Sequence, residues 1–210
     1  MKKLAVFVFL NVTTFLSAQS YGFDFLAKYS FQNNLMQTED SVWYFNSDDF
    51  SYYLKLIKLE DGMTSTLFDI RNDLAHRFKV IESNNKDDIQ FSFIYEYSYS
   101  IKKRPKSKER AEFTDVSASP KQVLMKIYRK KTKKPACEHL LKLVPANKNL
   151  FPMYAISHSD SLQPAESLHY SGNFIVTKDQ ISEGKTSCAL ILSEHKNVDL
   201  TIKLPTPLVY

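Results

Sequence analysis

The sequence predicts a mainly β protein: a single curved antiparallel sheet, arranged as a meander like a half-open barrel, with short helices or loops over one face. Three observations favour this fold class. Apolar side chains recur at every second position in several segments, polar turns separate those segments, and no long stretch has the 3.6-residue period of an amphipathic helix. Because antiparallel neighbours need only short connections, successive strands of this kind form a meander.

The clearest predicted strand covers residues 90–101, where an aromatic or aliphatic residue occupies every second position. We call its five aromatic side chains the aromatic ladder: Phe91, Phe93, Tyr95, Tyr97 and Tyr99. Shorter segments alternate in the same way at residues 25–31, 74–81 and 198–204. Further strands are expected at residues 42–46, 122–130, 137–144, 173–178 and 187–193.

The pair Asp61-Gly62 is a hairpin signal, since glycine adopts positive φ without strain, and it would join residues 51–60 to residues 63–70. Residues 52–59 carry apolar side chains on both faces, which is typical of a strand covered on two sides. Two candidates for that cover are open: the irregular, proline-containing segment 145–172, acting as a plug or a gate, and a ligand or partner. Short helices are expected at residues 28–36, 162–168 and 179–183.

The N-terminus has the layout of a secretory signal peptide. Lys2 and Lys3 precede a mostly apolar stretch, residues 4–16, and the small residues Ser17 and Ala18 follow. We therefore predict a signal peptide at residues 1–18, with cleavage after Ser20 as the alternative, and a single β-rich domain at residues 19–210. The mature chain would be exported to the periplasm or the extracellular space. No integral membrane segment is expected after cleavage, because no later stretch is long and apolar enough.

The chain contains only two cysteines, Cys137 and Cys188. In an oxidising compartment they could form one disulfide bridge, whose loop of about 50 residues would stabilise the fold by roughly 4 kcal/mol on the chain-entropy model. Two buried free thiols are the alternative, and both remain open at this point. Cysteines at this spacing form neither a zinc knuckle nor a CxxC redox pair, and the sequence predicts no cofactor.

Positive charge is concentrated in residues 102–134, where 13 Lys or Arg residues stand against three acids. Such a cluster attracts anionic surfaces, including lipid headgroups. The alternative is a solvated loop that protects a sheet edge, since lysine and proline discourage edge pairing. Nucleic acid is not expected as a partner, because the chain is exported and lacks a nucleic-acid-binding module. The residues predicted to contact an anionic surface are Lys102, Lys103, Arg104, Arg129, Lys130, Lys131, Lys133 and Lys134.

Common catalytic motifs are missing from the sequence: it contains no G-x-S-x-G elbow, no glycine-rich phosphate loop and no H-E-x-x-H. His139 follows Glu138, but neighbours in a strand point to opposite faces and cannot act together. His158, Asp160 and His169 form a candidate metal set, which would make the protein a metal-dependent hydrolase. The alternative is chance scatter of polar residues in a loop, and we predict neither a catalytic residue nor a metal ligand.

An exported chain of roughly 190 residues with this strand rhythm resembles the periplasmic lipoprotein-carrier family and its half-barrel relatives. The resemblance covers most of residues 21–204. It implies a curved, incompletely closed sheet, capped by helices, around an apolar cavity that receives acyl chains.

We therefore expect an exported, non-enzymatic protein of the cell envelope that binds an apolar or amphipathic, lipid-like ligand on the concave aromatic face. The alternatives are an ordinary core closed by residues 145–172, an interaction module that docks on anionic surfaces, and the metal-dependent hydrolase. The residues predicted to line the ligand site are Phe68, Phe78, Phe91, Phe93, Tyr95, Tyr97 and Tyr99.

Overall fold

The computed structural model describes residues 19–33, 38–60, 62–85, 88–102, 109–129, 132–159, 168–184 and 186–210. These residues contain eleven strands, all in one antiparallel sheet, and one α-helix. The predicted signal peptide lies outside the described residues. The strands are β1 (Ser20–Gln32), β2 (Thr38–Asn46), β3 (Asp49–Leu59), β4 (Gly62–Asp69), β5 (Leu74–Asn85), β6 (Asp88–Ser100), β7 (Arg110–Ala118), β8 (Lys121–Tyr128), β9 (Cys137–Pro145), β10 (Phe174–Glu183) and β11 (Thr186–Lys203), and the helix is α1 (Phe151–His158).

The sheet consists of two meanders, β1–β6 and β7–β11, which join where β1 pairs with β11. Strands β6 and β7 are therefore its two edges. Eleven flat strands about 4.8 Å apart would span roughly 48 Å. The ten residue steps from Ser100 at the end of β6 to Arg110 at the start of β7 reach at most about 35 Å. The sheet must therefore curve, as the sequence predicts.

The predicted fold class is confirmed: the protein is mainly β, with one open antiparallel sheet and a short helix over one face. Two of the predicted helices are wrong, because residues 28–32 belong to β1 and residues 179–183 belong to β10. The latter segment pairs with strands on both sides, which satisfies its backbone hydrogen bonds as a strand. Most of the third predicted helix, residues 162–167, lies outside the described residues.

Helix α1 is the centre of the first of two hydrophobic cores, which we call the helix-side core. The helix lies within the irregular segment 145–172, and Pro152 in its first turn is compatible with helix initiation. Its buried residues pack against inward side chains of β1–β3 and β8–β11. Helix α1 is therefore a plug of the fold. The buried helix residues are Phe151, Met153, Tyr154, Ala155 and Ile156.

A second core, the tail-side core, lies on the opposite side of β1–β3. It gathers apolar residues of β1–β6 and β11, and Leu208 of the C-terminal tail packs against it. The tail runs from β1 to β6, because Leu204 N–H donates to Gln19 O at 2.9 Å and Ser98 N–H donates to Val209 O at 2.6 Å. It thus spans the open side between the first and last strands of the β1–β6 meander.

Several strands serve both cores, which explains the two-sided apolar pattern of residues 52–59. In β3, Tyr53 belongs to the helix-side core, whereas Leu54 and Leu56 belong to the tail-side core. In β1, a register shift between Phe23 and Phe25 changes which side chains point to which core. The cover predicted for residues 52–59 is therefore α1 on one face and the rest of the curled sheet on the other.

Candidate functional site

Five polar side chains meet inside the helix-side core, and we call them the His–Asp cluster: Cys137, His139, Tyr154, His158 and Asp179. His139 Nδ1 lies 2.9 Å from Asp179 Oδ2, and His139 Nε2 lies 3.3 Å from Cys137 Sγ. The Tyr154 hydroxyl donates to the same Asp179 oxygen at 2.8 Å. His158 Nε2 lies 3.7 Å from that oxygen, so Asp179 stands at the centre of the cluster.

Three elements bring these residues together. In β9, alternation points Cys137 and His139 to the same face as the buried leucines at 141 and 143. In β10, a register shift between Val176 and Lys178 turns Asp179 inward. The remaining two, Tyr154 and His158, are four positions apart on α1 and share one helical face.

The ion pair of His139 and Asp179 is almost completely buried, with each side chain 1% exposed. Burial alone would lower the pKa of His139. The hydrogen bonds to Asp179 and Cys137, together with the carboxylate charge, outweigh it and raise the pKa to about 9. Burial and the same carboxylate raise the pKa of Tyr154, which stays a neutral hydrogen-bond donor. At neutral pH the centre of the cluster is therefore an imidazolium paired with a carboxylate.

Within the described part of the chain, three buried polar atoms in and near the His–Asp cluster lack hydrogen-bond partners. Tyr29 Oη, Ser157 Oγ and Asp179 Oδ1 are buried and have no hydrogen-bond partner among the described residues. A buried carboxylate oxygen without a partner costs free energy unless water or an ion binds it. The orphaned Oδ1 therefore marks Asp179 as a position where a further group can bind.

A cleft of about 200 Å³ adjoins the cluster, and His158 and Ser157 form part of its wall. Glu39 and Lys55 contribute charged groups to its lining, and Lys55 Nζ lies 4.8 Å from the centre of the Trp43 ring. Ser41 adds a further hydroxyl and four apolar side chains complete the lining, so the cleft is lined by five polar and four apolar residues. Those apolar side chains are Phe31, Trp43, Ile181 and Leu190.

The aromatic ladder does not form one continuous face. Phe93 and Tyr95 pack in the tail-side core with Phe78, and Phe91 is half-buried. A register shift between β5 and β6 leaves Glu96 without a partner strand residue, so the alternation changes face beyond Tyr95.

Past that shift, Tyr97 and Tyr99 contact each other and are 45% and 40% exposed. Phe68 packs against the helix-side core instead. The structure therefore brings together only Phe78, Phe93 and Tyr95 of the seven residues predicted to line a ligand site. None of the seven is among the residues that line the cleft.

The predicted basic surface is described in part. Lys102, Lys133 and Lys134 are exposed. Arg129 is exposed as well and pairs with Glu183 at 3.2 Å, beyond the end of β8. The other four predicted contact residues, Lys103, Arg104, Lys130 and Lys131, lie outside the described residues.

Cys137 and Cys188 are free thiols in the structure. Glu138, next to Cys137, pairs with Ser182 of β10, and Cys188 pairs with Ile181 on the other side of that strand. Two strand spacings of about 4.8 Å therefore separate the cysteines, beyond the Cα separation of about 4.4–6.8 Å that a disulfide bridge spans. The structure therefore has two free thiols, as in the second alternative left open by the sequence, but both are half-buried and not fully buried.

Of the candidate metal set taken from the sequence, the structure describes His158 and His169 and does not group them. His158 joins the His–Asp cluster, whereas His169 is exposed and belongs to no described metal-binding group. Asp160 lies outside the described residues. Sequence reasoning separated His139 correctly from Glu138, which pairs with Lys126 at 3.3 Å, but it missed Asp179. The available signal was the alternation of Cys137 and His139 on one strand face.

Comparison with known proteins supplies no functional assignment: neither a scan against protein-family models nor a search of the curated proteins returned a match. Within the described part of the chain, no helix has the length and apolar character needed to cross a membrane. The chemistry of the cluster and of the adjoining cleft is therefore the basis for a functional proposal.

Proposed function

We propose that this chain is an exported, non-enzymatic protein of the cell envelope that binds a small amphipathic ligand in the cleft beside α1. The observation that carries the proposal is the composition of the cleft. Four apolar side chains line it together with five polar ones, among them Lys55, Glu39 and His158. This mixed lining, with more polar than apolar surface, suits an amphipathic molecule with a polar head rather than a purely apolar one.

The size of the cleft limits the ligand. Drug-sized ligands occupy sites of about 300–1,000 Å³, whereas this cleft measures about 200 Å³. A complete lipid does not fit, because α1 fills the neighbouring part of the helix-side core. The proposed ligand is therefore a small molecule, or the end of one acyl chain, with its polar group near Lys55.

The structure provides an internal reporter for this proposal, because Trp43 is the only tryptophan of the chain and lines the cleft. Its indole is 4% exposed and donates a hydrogen bond to Ser41 Oγ at 3.0 Å. A molecule that enters the cleft contacts this ring and changes its emission. Decanoate and decanol are suitable probes, since both have a ten-carbon chain and they differ in the charge of the head.

The test begins with mass spectrometry of an organic extract of the mature protein, purified without detergent from its native compartment. Titration of the extracted protein with decanoate or decanol, followed by Trp43 emission, measures the affinity. Ile181→Phe narrows the cleft, whereas Ile94→Phe makes the same change at a residue 48% exposed on β6. We expect at least a tenfold weaker affinity for Ile181→Phe and wild-type affinity for Ile94→Phe. A clean extract together with no probe binding by the wild type would overturn the proposal.

A second proposal concerns the basic segment, and the exposure of Lys133 and Lys134 supports it. We propose that this end of the β7–β8 hairpin docks on an anionic envelope surface. Ion pairs of Arg129 with Glu183 and of Lys126 with Glu138 neutralise part of the neighbouring charge. The expected attraction is therefore weak and sensitive to salt.

A further inference from the structure

The His–Asp cluster contains two imidazoles and a carboxylate that converge on one point. One ligand atom from each of His139, His158 and Asp179 lies within 4.8 Å of the other two. We propose that these three side chains form a binding site for a divalent first-row transition-metal ion, represented by Zn²⁺, with an open coordination position toward the cleft. This inference does not depend on the proposed ligand of the cleft.

The distances fit such an ion after small side-chain movements. Zinc binds nitrogen and oxygen ligands at about 2.0–2.2 Å, so tetrahedral ligand atoms lie roughly 3.3 Å from one another. Asp179 Oδ2 lies 2.9 Å from His139 Nδ1 and 3.7 Å from His158 Nε2, on either side of that value. His158 also lines the cleft, which gives an ion a route from solvent.

A second, independent observation is the orphaned oxygen of Asp179. The residue is 1% exposed, and its Oδ1 has no hydrogen-bond partner among the described residues. Buried carboxylates normally use both oxygens, and a metal ion satisfies an oxygen for which the protein provides no donor. The orphaned atom belongs to the residue at the centre of the cluster.

Outer contacts already hold the proposed ligands in place. The Tyr154 hydroxyl donates to Asp179 Oδ2, and Cys137 Sγ lies 3.3 Å from His139 Nε2, the ring nitrogen that faces away from Asp179. Metal-binding histidines and carboxylates are generally oriented by partners of this kind. When the ion binds, it replaces the proton on His139 Nδ1, which leaves to solvent, while Nε2–H stays directed at the sulfur.

The donor set selects the class of metal. Imidazole nitrogens suit zinc, iron, nickel and copper, whereas calcium and magnesium prefer sites made only of oxygen. Two histidines and one carboxylate, with a further position open, are the donors of many zinc and non-haem iron sites. Zinc is therefore the probe, and magnesium serves as the metal that should not bind.

The test is a competition titration of Zn²⁺ between a chromophoric chelator and the mature chain, produced without a polyhistidine tag. His158→Asn removes one proposed ligand and leaves the His139–Asp179 pair intact. His169→Asn makes the same change at an exposed histidine outside the cluster. We expect one Zn²⁺ per chain for the wild type and for His169→Asn, and at least tenfold weaker binding for His158→Asn. Magnesium should not compete.

Equal zinc affinity of the wild type and His158→Asn, or equal losses in both variants, would overturn the proposal. If His158→Asn does not fold, the absorption spectrum of the wild type with Co²⁺ tests whether the site binds a metal ion. A four-coordinate Co²⁺ spectrum supports the site, and the spectrum of the hydrated ion refutes it. Ile181→Phe, which narrows the cleft, should keep its zinc, so failure of the cleft proposal and failure of the metal proposal are distinguishable.

Discussion

Each of the two cores buries a histidine near an aspartate and a tyrosine, yet the two groups differ in chemistry. In the helix-side core, His139 contacts the carboxylate of Asp179 directly, and its pKa rises to about 9. In the tail-side core, His76 Nδ1 contacts the hydroxyl of Ser98 at 2.7 Å, and burial lowers the pKa of this histidine. The first histidine is charged at neutral pH, and the second is neutral.

The two histidines differ because Asp69, the aspartate of the tail-side core, forms its hydrogen bonds with residues other than His76. Asp69 accepts hydrogen bonds from the Tyr21 hydroxyl at 2.6 Å and from the backbone and side chain of Asn72. Asp69 binds a turn and a tyrosine, and its charge raises the pKa of His76 by less than burial lowers it. The comparison teaches that residue types alone do not define a site. A second imidazole, an unsatisfied oxygen and an adjoining cleft occur together only at Asp179 within the described residues.

The largest predicted effect comes from removing the central charge of the helix-side group. Asp179→Asn leaves His139 buried without its carboxylate, and breaking a buried ion pair costs about 3–5 kcal/mol of unfolding free energy. Asp69→Asn removes hydrogen-bond acceptors and should cost only about 1–3 kcal/mol. Urea unfolding curves of the two variants at pH 7 measure both values. A larger loss for Asp69→Asn would reverse the ranking of the two groups.

The second prediction concerns pH and uses the neutral histidine. Because the pKa of His76 in the folded chain lies below its usual value of about 6.5, the unfolded chain takes up the proton first as the pH falls. The contribution of His76 to stability is therefore present above pH 6.5 and is lost below it, by at most about 1.4 kcal/mol per pH unit.

Unfolding free energies between pH 7 and 5 test this dependence in the wild type, in His76→Asn and in His169→Asn. We expect a shallower dependence for His76→Asn, and a dependence parallel to the wild type for the exposed His169. Identical slopes in all three proteins would mean that His76 is not held neutral.

An effect of similar size is expected from the C-terminal tail. Deleting residues 205–210 removes Leu208 from the tail-side core and breaks the hydrogen bond from Ser98 N–H to Val209 O. We expect the free energy of unfolding to fall by about 1–3 kcal/mol. The emission of Trp43 in the helix-side core should stay unchanged. A shift of that emission would show that the two cores are coupled.

The smallest effect is expected at the basic surface. The double variant Lys133→Glu, Lys134→Glu should lower binding to vesicles that contain phosphatidylglycerol and leave unfolding unchanged, because both side chains are exposed. Sedimentation at 50 and 200 mM salt measures the effect, and Lys196→Glu on β11 is the control. Equal binding by all three proteins would remove the second proposal.

Most of the fold could be predicted from the sequence, because strand alternation is a local pattern. The alternation of β5 and β6 and the turn near Gly62 led directly to the meander. Helix α1 was missed because it is short and buried on nearly all sides, so it has no amphipathic stripe. Its proline and small residues are more typical of a loop.

The candidate site could not be predicted, because its residues come from three elements joined only by tertiary pairing. His139 and Asp179 are 40 positions apart and meet across β9 and β10. The register shift that turns Asp179 inward is a property of the pair β9–β10 and leaves no mark in the sequence. The division of the aromatic ladder between two faces could not be predicted for the same reason. The register shift at Glu96 is a property of the pair β5–β6.

The most direct test is a crystal structure of residues 19–210 grown with zinc, with data collected on both sides of the zinc absorption edge. We expect one anomalous peak per chain, within about 2.2 Å of ligand atoms of His139, His158 and Asp179. The region around His76 and Asp69 should show none. A distance of 2.9 Å between His139 and Asp179, unchanged in the zinc-grown crystal and with no peak beside it, would contradict the proposed metal site. His139 and His158 would then be structural residues of the helix-side core.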